Sequence, residues 1–194
     1  RRRLRRRQRQ RELVNMLATL HRLWRHHWMD ESDTRRLVPP DAVERLRRRV
    51  AESEARHSGQ LRICVEAGLP ASYLWRHLRQ RLPMQRIVRE RALMMFSKLG
   101  VWNTEHNNGV LIYLLLAERA IEVVADRGVA RAVDATAWQA LTDRLGRSLH
   151  GGQVEEGLSQ AVDDVSARLV ALFPAAEGGA ARPPNELPDE PVLL

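Results

Sequence analysis

The densest group of ligand-capable side chains in this 194-residue sequence is Trp102-Asn103-Thr104-Glu105-His106-Asn107-Asn108-Gly109, which runs directly into the apolar segment Val110–Leu116. A second polar turn, Asp126-Arg127-Gly128, follows the next apolar segment. Together the two turns hold the carboxylates of Glu105 and Asp126, the amides of Asn107 and Asn108, the His106 imidazole and the Arg127 guanidinium. Gly109 and Gly128 close the turns, and Asp134 adds a third carboxylate a few residues on. A set this rich in oxygen suits a hard cation, calcium or magnesium, better than zinc, which takes more nitrogen and sulfur. The same residues also read as plain turn chemistry, with Asn107-Asn108-Gly109 reversing the chain and Asp126 pairing with Arg127 or capping a loop.

The elements around these turns decide whether they meet. Val110–Leu116 shows no polar alternation, as expected of a strand covered on both faces, and it is placed at the centre of a sheet. Only Ala117-Glu118-Arg119-Ala120 separates it from Ile121–Ala125, a link short enough to force an antiparallel hairpin. The hairpin returns Asp126-Arg127-Gly128 to the end where residues 105–109 sit. Leu61-Arg62-Ile63-Cys64-Val65-Glu66 alternates with period two and reads as an earlier strand, parallel to the central one through a right-handed crossover.

Helices fill the rest. Leu13, Leu17, Leu20, Trp24 and Trp28 share one stripe, so residues 9–29 read as an amphipathic helix whose other face carries Arg22 and Arg25. That stripe packs on the domain or on a partner, or lies on a membrane surface. Asp41, three residues before Glu44, reads as the cap of a helix ending near Ser58-Gly59. Residues 71–82 and 84–99 read as two helices, Thr136 with Gln139 opens another, and Val154–Leu169 lies in a last one ending near Pro174. The acidic pairs Glu155-Glu156 and Asp163-Asp164 are expected on its solvated side. The organisation expected is a basic segment with its helix over residues 1–35, an α/β domain over 36–174, and a Pro- and Gly-rich tail over 175–194. That tail is read as flexible, with Asn185-Glu186-Leu187-Pro188 and Val192-Leu193-Leu194 as segments able to dock. The fold class is α/β, a small mixed sheet with helices on both faces plus the extra N-terminal amphipathic helix.

Composition narrows the function classes. The formal net charge of +8 comes from the start of the chain, where eight of the first eleven residues are arginine; beyond it basic and acidic residues balance. Such an arginine run attracts anionic lipid or nucleic acid non-specifically, or is a solvated terminus. Val110–Ala117, the longest apolar run, is far short of the ~20 residues of a membrane helix, and no apolar leader follows the basic start. A cytoplasmic protein, at most peripheral at a membrane, is expected. The single cysteine, Cys64, forms no intrachain disulfide and reads as a packed core thiol. His26 and His27 are neighbours that do not face one another, His57 and His77 read as helix-surface residues, Gly68-Leu69-Pro70 lacks the pattern of a phosphate loop, and no serine sits in a nucleophile elbow.

The order helix, strand, helix, then Asn107-Asn108-Gly109-Val110-Leu111-Ile112 into a hairpin and Asp126-Arg127-Gly128-Val129, resembles the TPM domain family. The stretch from Trp138 through His150-Gly151-Gly152 to Glu156-Gly157-Leu158 is similar to that family's closing helices. Short bacterial members without signal peptide or membrane anchor carry a comparable Trp-x-Thr-Glu-His-Asn-Asn-Gly motif and an Asn-Glu-Leu-Pro segment. The resemblance implies a mixed sheet flanked by helix pairs and a cation site near the two turns, and it leaves the biochemical role undefined. The first reading is a divalent-cation-binding interaction or assembly module. Its partner, a protein or a membrane surface, is met through the N-terminal helix. The alternative is a metal-dependent phosphomonoesterase in which Asp126 and Glu105 hold the cation, Arg127 neutralises charge and His106 moves a proton.

Overall fold

The computed structural model describes residues 20–175 and 185–194. The earlier part of the expected first helix, with Leu13 and Leu17, and the arginine run lie outside the described residues. Residues 20–28 are helical (α1). They are followed by α2 (Glu31–Leu37), α3 (Pro40–Glu54), β1 (Gln60–Glu66), α4 (Ala71–Gln80), α5 (Met84–Lys98) and β2 (Gly109–Leu115). A 3-10 turn at Leu116–Glu118 leads into β3 (Ala120–Ala125), then α6 (Arg127–Ala130), α7 (Ala135–His150), α8 (Val154–Leu172) and β4 (Val192–Leu193).

The sheet order is β3-β2-β1-β4, with β1 parallel to β2 and to β4, and β2 antiparallel to β3. Every residue of β2 is buried, as the unbroken apolar run requires. One face packs Leu61, Ile63, Val65, Val110, Ile112 and Leu114 against α3, α7 and α8. The other packs Cys64, Leu111, Tyr113 and Leu115 against α4 and α5. The α/β sandwich with a helix added at its N-terminal side is therefore the observed fold.

Several local expectations are corrected. The polar members of the β1 alternation do not face water. Arg62 is buried and donates to the Pro188 carbonyl, while Glu66 is buried against Arg91 and Tyr113. Asp41 is not the cap of α3, because Pro39 is the N-cap and Pro40 the first helical residue, where a missing N–H costs nothing. Asp41 instead pairs with Arg45 at 2.9 Å. The cap of α7 is Asp134, whose carboxylate accepts the Thr136 N–H. His57 is a buried link rather than a surface residue, with contacts to Ser53 Oγ (3.0 Å) and the Gly59 carbonyl (3.1 Å). The acids of α8 lie on its outer side, as expected, and three of them are ion-paired there: Glu155 with Arg45, Asp163 with Arg49 and Asp164 with Arg144. Helix α2 was not expected; its signal is the capping box of Asp30 and Asp33. Of the tail, residues 185–194 dock along β1. Leu187 N–H donates to Gln60 Oε1, and β4 pairs with Cys64 and Val65.

Candidate functional site

The hairpin register sets Val110 opposite Ala125, and one step further Asp126 N–H donates to the Gly109 carbonyl at 2.8 Å. Gly128 N–H then donates to the Asn107 carbonyl at 2.9 Å, and an Arg127 Nη bonds Asn107 Oδ1 at 2.9 Å. The two turns therefore meet at the amino end of β2. The approach is so close that a methyl group on Gly128 would lie 2.7 Å from the Asn107 carbonyl oxygen.

Local sequence builds the first turn. Asn107 has φ of 52°, a left-handed conformation that asparagine tolerates better than most residues. Thr104, which the sequence reading did not single out, holds the turn from behind. Its carbonyl accepts the Asn107 N–H at 3.2 Å and its hydroxyl accepts the Asn108 N–H at 3.0 Å. Asn108 is fully buried, and its amide nitrogen reaches Ser58 Oγ at 3.4 Å. Asp126 is the N-cap of α6: one carboxylate oxygen accepts the Arg127 N–H at 2.6 Å.

Two buried oxygens are left over. Asn108 Oδ1 and Asp126 Oδ2 accept no hydrogen bond from any described residue. Unpaired buried polar atoms are uncommon in native structures, and each calls for an explanation such as a bound ion or water. Of the other expected ligands, Asn107 Oδ1 is taken by Arg127 and Asp134 is used at the α7 cap. Glu105 and His106 are exposed, and only the backbone N–H of Glu105 is engaged, by Glu186 at 3.0 Å. Among the described residues no three His, Cys, Asp or Glu side chains lie close enough to share a metal. The available donor set is thus one carboxylate oxygen and one amide oxygen, both of the hard type that calcium and magnesium accept, with a guanidinium beside them.

The opposite end of the sheet holds polar clusters that sequence spacing did not reveal. Glu66 closes β1 and accepts Arg91 Nε at 2.9 Å and the Tyr113 hydroxyl at 2.6 Å. Burial and the Glu66 charge push the Tyr113 hydroxyl pKa well up, and burial pushes the Cys64 thiol up to about 12. Cys64 is therefore a protonated core thiol. Glu118, in the 3-10 turn, receives Arg22 (3.1 Å), Arg25 (3.5 Å) and the buried His26 (2.9 Å), all from α1. Burial alone would raise the Glu118 pKa; the His26 hydrogen bond and the Arg22 and Arg25 charges outweigh it and hold it below the usual range. His26 also accepts the Leu69 N–H at 3.0 Å, which fixes α1 to the domain.

A mixed four-stranded sheet between helix layers, with two polar turns joined at the amino end of its central strand, defines the class of α/β domain. The chain belongs to the TPM domain family, whose model matches residues 32–168. In fold it is similar to the BA42 protein from the psychrophilic bacteria Bizionia argentinensis, solved by NMR, with a TM-score of 0.64. The sequence identity is 20%, and the match covers 80% of this chain and 94% of that one. No curated protein matches the chain. No helix among the described residues is long and apolar enough to cross a membrane.

Proposed function

We propose that this TPM domain is a binding module whose joined turns take a divalent cation, calcium or magnesium, weakly. The observation that carries the reading is the pair of unpartnered buried oxygens, Asn108 Oδ1 and Asp126 Oδ2, on the two turns that the Asp126–Gly109 backbone hydrogen bond joins. Affinity should be low. Only one carboxylate contributes charge, and Arg127, 3.9 Å from Asp126, opposes an incoming cation. Sites of few charged ligands hold calcium at about 0.1–1 mM. At a calcium concentration about ten times Kd the native state gains about 1.4 kcal/mol, a rise in Tm of about 3–6 °C for a chain of this size. Thermal melting with calcium, against sodium at equal ionic strength, checks this. Asp126→Asn keeps the capping oxygen and should abolish the rise; Arg127→Gln should enlarge it. A shift of the same size in Asp126→Asn would refute the assignment.

The contact with a partner is assigned to α1. Its inner side is fixed to the domain by His26, while Leu20, Trp24 and Trp28 face outward at 54%, 59% and 64% exposure. Tryptophan and leucine on one side of a helix suit the boundary of a membrane, which makes the module peripheral, or the apolar surface of a partner protein. The phosphomonoesterase reading has less support from the geometry. The carboxylate of Asp126 already caps α6, and the side chains of Glu105 and His106 make no hydrogen bond to it.

A further inference from the structure

A cavity of about 370 Å³ opens at the carboxyl end of β2, on the opposite side of the sheet end from α5 and far along the strand from the joined turns. Its walls are mostly apolar: Met29 and Leu37 from the α1–α2 region, Leu114 and Leu116 from the strand end, and Leu149 and Val154 from the α7–α8 corner, with Asp33 of α2 also lining it. Its rim carries Arg119 and His150, and a shallower groove continues from it past Gly146 to Arg147.

Two residues at this place run against local preference. Gly146 lies inside α7, where glycine costs about 1 kcal/mol relative to alanine. No close packing accounts for it, because a methyl group there would meet nothing nearer than Ile121 Cδ1 at 3.7 Å. What glycine does supply is an open wall between cavity and groove. Arg119 sits at φ of 50°, a left-handed position that glycine or asparagine would fill at less cost. There it places a guanidinium at the cavity mouth. The charges of Arg119 and Arg147 are not matched by any carboxylate within ion-pair distance among the described residues, whereas most arginines of the domain are paired. The acids nearby are already engaged: Asp33 with Arg36 at 3.7 Å and the Asp30 N–H at 3.1 Å, and Asp143 with the Gln139 amide at 2.9 Å. His150 contacts the Gly146 carbonyl through Nδ1 at 2.7 Å, which leaves Nε2 for a ligand.

An apolar well of this size with a few convergent polar groups has the form of a small-molecule site. We propose that it binds a single-chain amphiphile, its apolar chain in the well between the sheet end and the α7–α8 corner and its anionic head at Arg119 and Arg147. This site is independent of the cation site and of the exposed side of α1.

The test is calorimetric titration of the full chain with dodecanoate below its micellar concentration. One-to-one binding is expected, about tenfold weaker in Arg119→Gly and again weaker for dodecanol, since each loses a charge-assisted contact. Gly146→Leu should abolish binding while leaving Tm unchanged or raised, because leucine favours the helix and fills the wall. Three results would overturn the proposal: equal affinity for dodecyltrimethylammonium, undiminished binding in both variants, or response only to phosphatidylglycerol vesicles and not to dodecanoate.

Discussion

At the carboxyl ends of β1 and β2, Glu66 and Glu118 each have several donors. At the amino end of β2, Asp126 has one donor and one empty buried oxygen, and Asn108 beside it has another. The chemistry of the two ends is alike, with carboxylate and guanidinium in both, but the stoichiometry is reversed. Surplus donors make a carboxylate a structural clamp, and the surplus acceptors are the feature on which the proposed cation site rests. A buried charge stripped of its partner is costly, so the saturated end should be the sensitive one to mutation.

The largest effect should therefore come from Glu66→Ala, which strands buried Arg91 and Tyr113; a loss of about 3–5 kcal/mol is expected, read from denaturant unfolding. Next is Gly128→Ala at the amino end. Its methyl group would meet the Asn107 carbonyl at 2.7 Å and the His106 carbonyl at 3.0 Å, prising the turns apart. A loss of about 1–3 kcal/mol is expected. A fully stable Gly128→Ala protein would show that the turns are not packed as described.

A smaller effect concerns pH. The Glu118 pKa is depressed in the folded state, so its contribution is present above the ordinary glutamate range of about 4.3 and is lost as pH falls through the lower folded value. Helix α1 should loosen in acid before the sheet does, seen as faster amide exchange over residues 20–28. Glu118→Gln should loosen it at neutral pH, by about 1–2 kcal/mol. Loosening at the same pH in that variant as in the parent would place the titrating group elsewhere.

How much of this was legible in the sequence depended on how local the signal is. The unbroken run of β2 and the four-residue link to β3 carried the hairpin, and hairpin pairing in turn brought residues 107–109 beside 126–128. The β1 alternation misled because the partners of its polar residues, Arg91 and Pro188, come from distant segments and bury what looks solvated. Helix α2 has little apolar periodicity and announces itself only through Asp30 and Asp33. In the candidate site, the meeting of the turns could be deduced, but which oxygens stay free could not. That depends on Arg127 claiming Asn107, on Asp134 capping α7, and on Thr104 supporting the turn. The clamp on Glu118 joins residues more than ninety positions apart.

The most direct test is residue-resolved: ¹H–¹⁵N spectra of the full chain during a calcium titration to several millimolar. Saturable shifts gathered at the amides of Asn107, Asn108, Gly109, Arg127 and Gly128, and missing in Asp126→Asn, are the expected result. Spectra unchanged at these amides, or shifts scattered over the acidic pairs of α8 instead, would contradict the cation site.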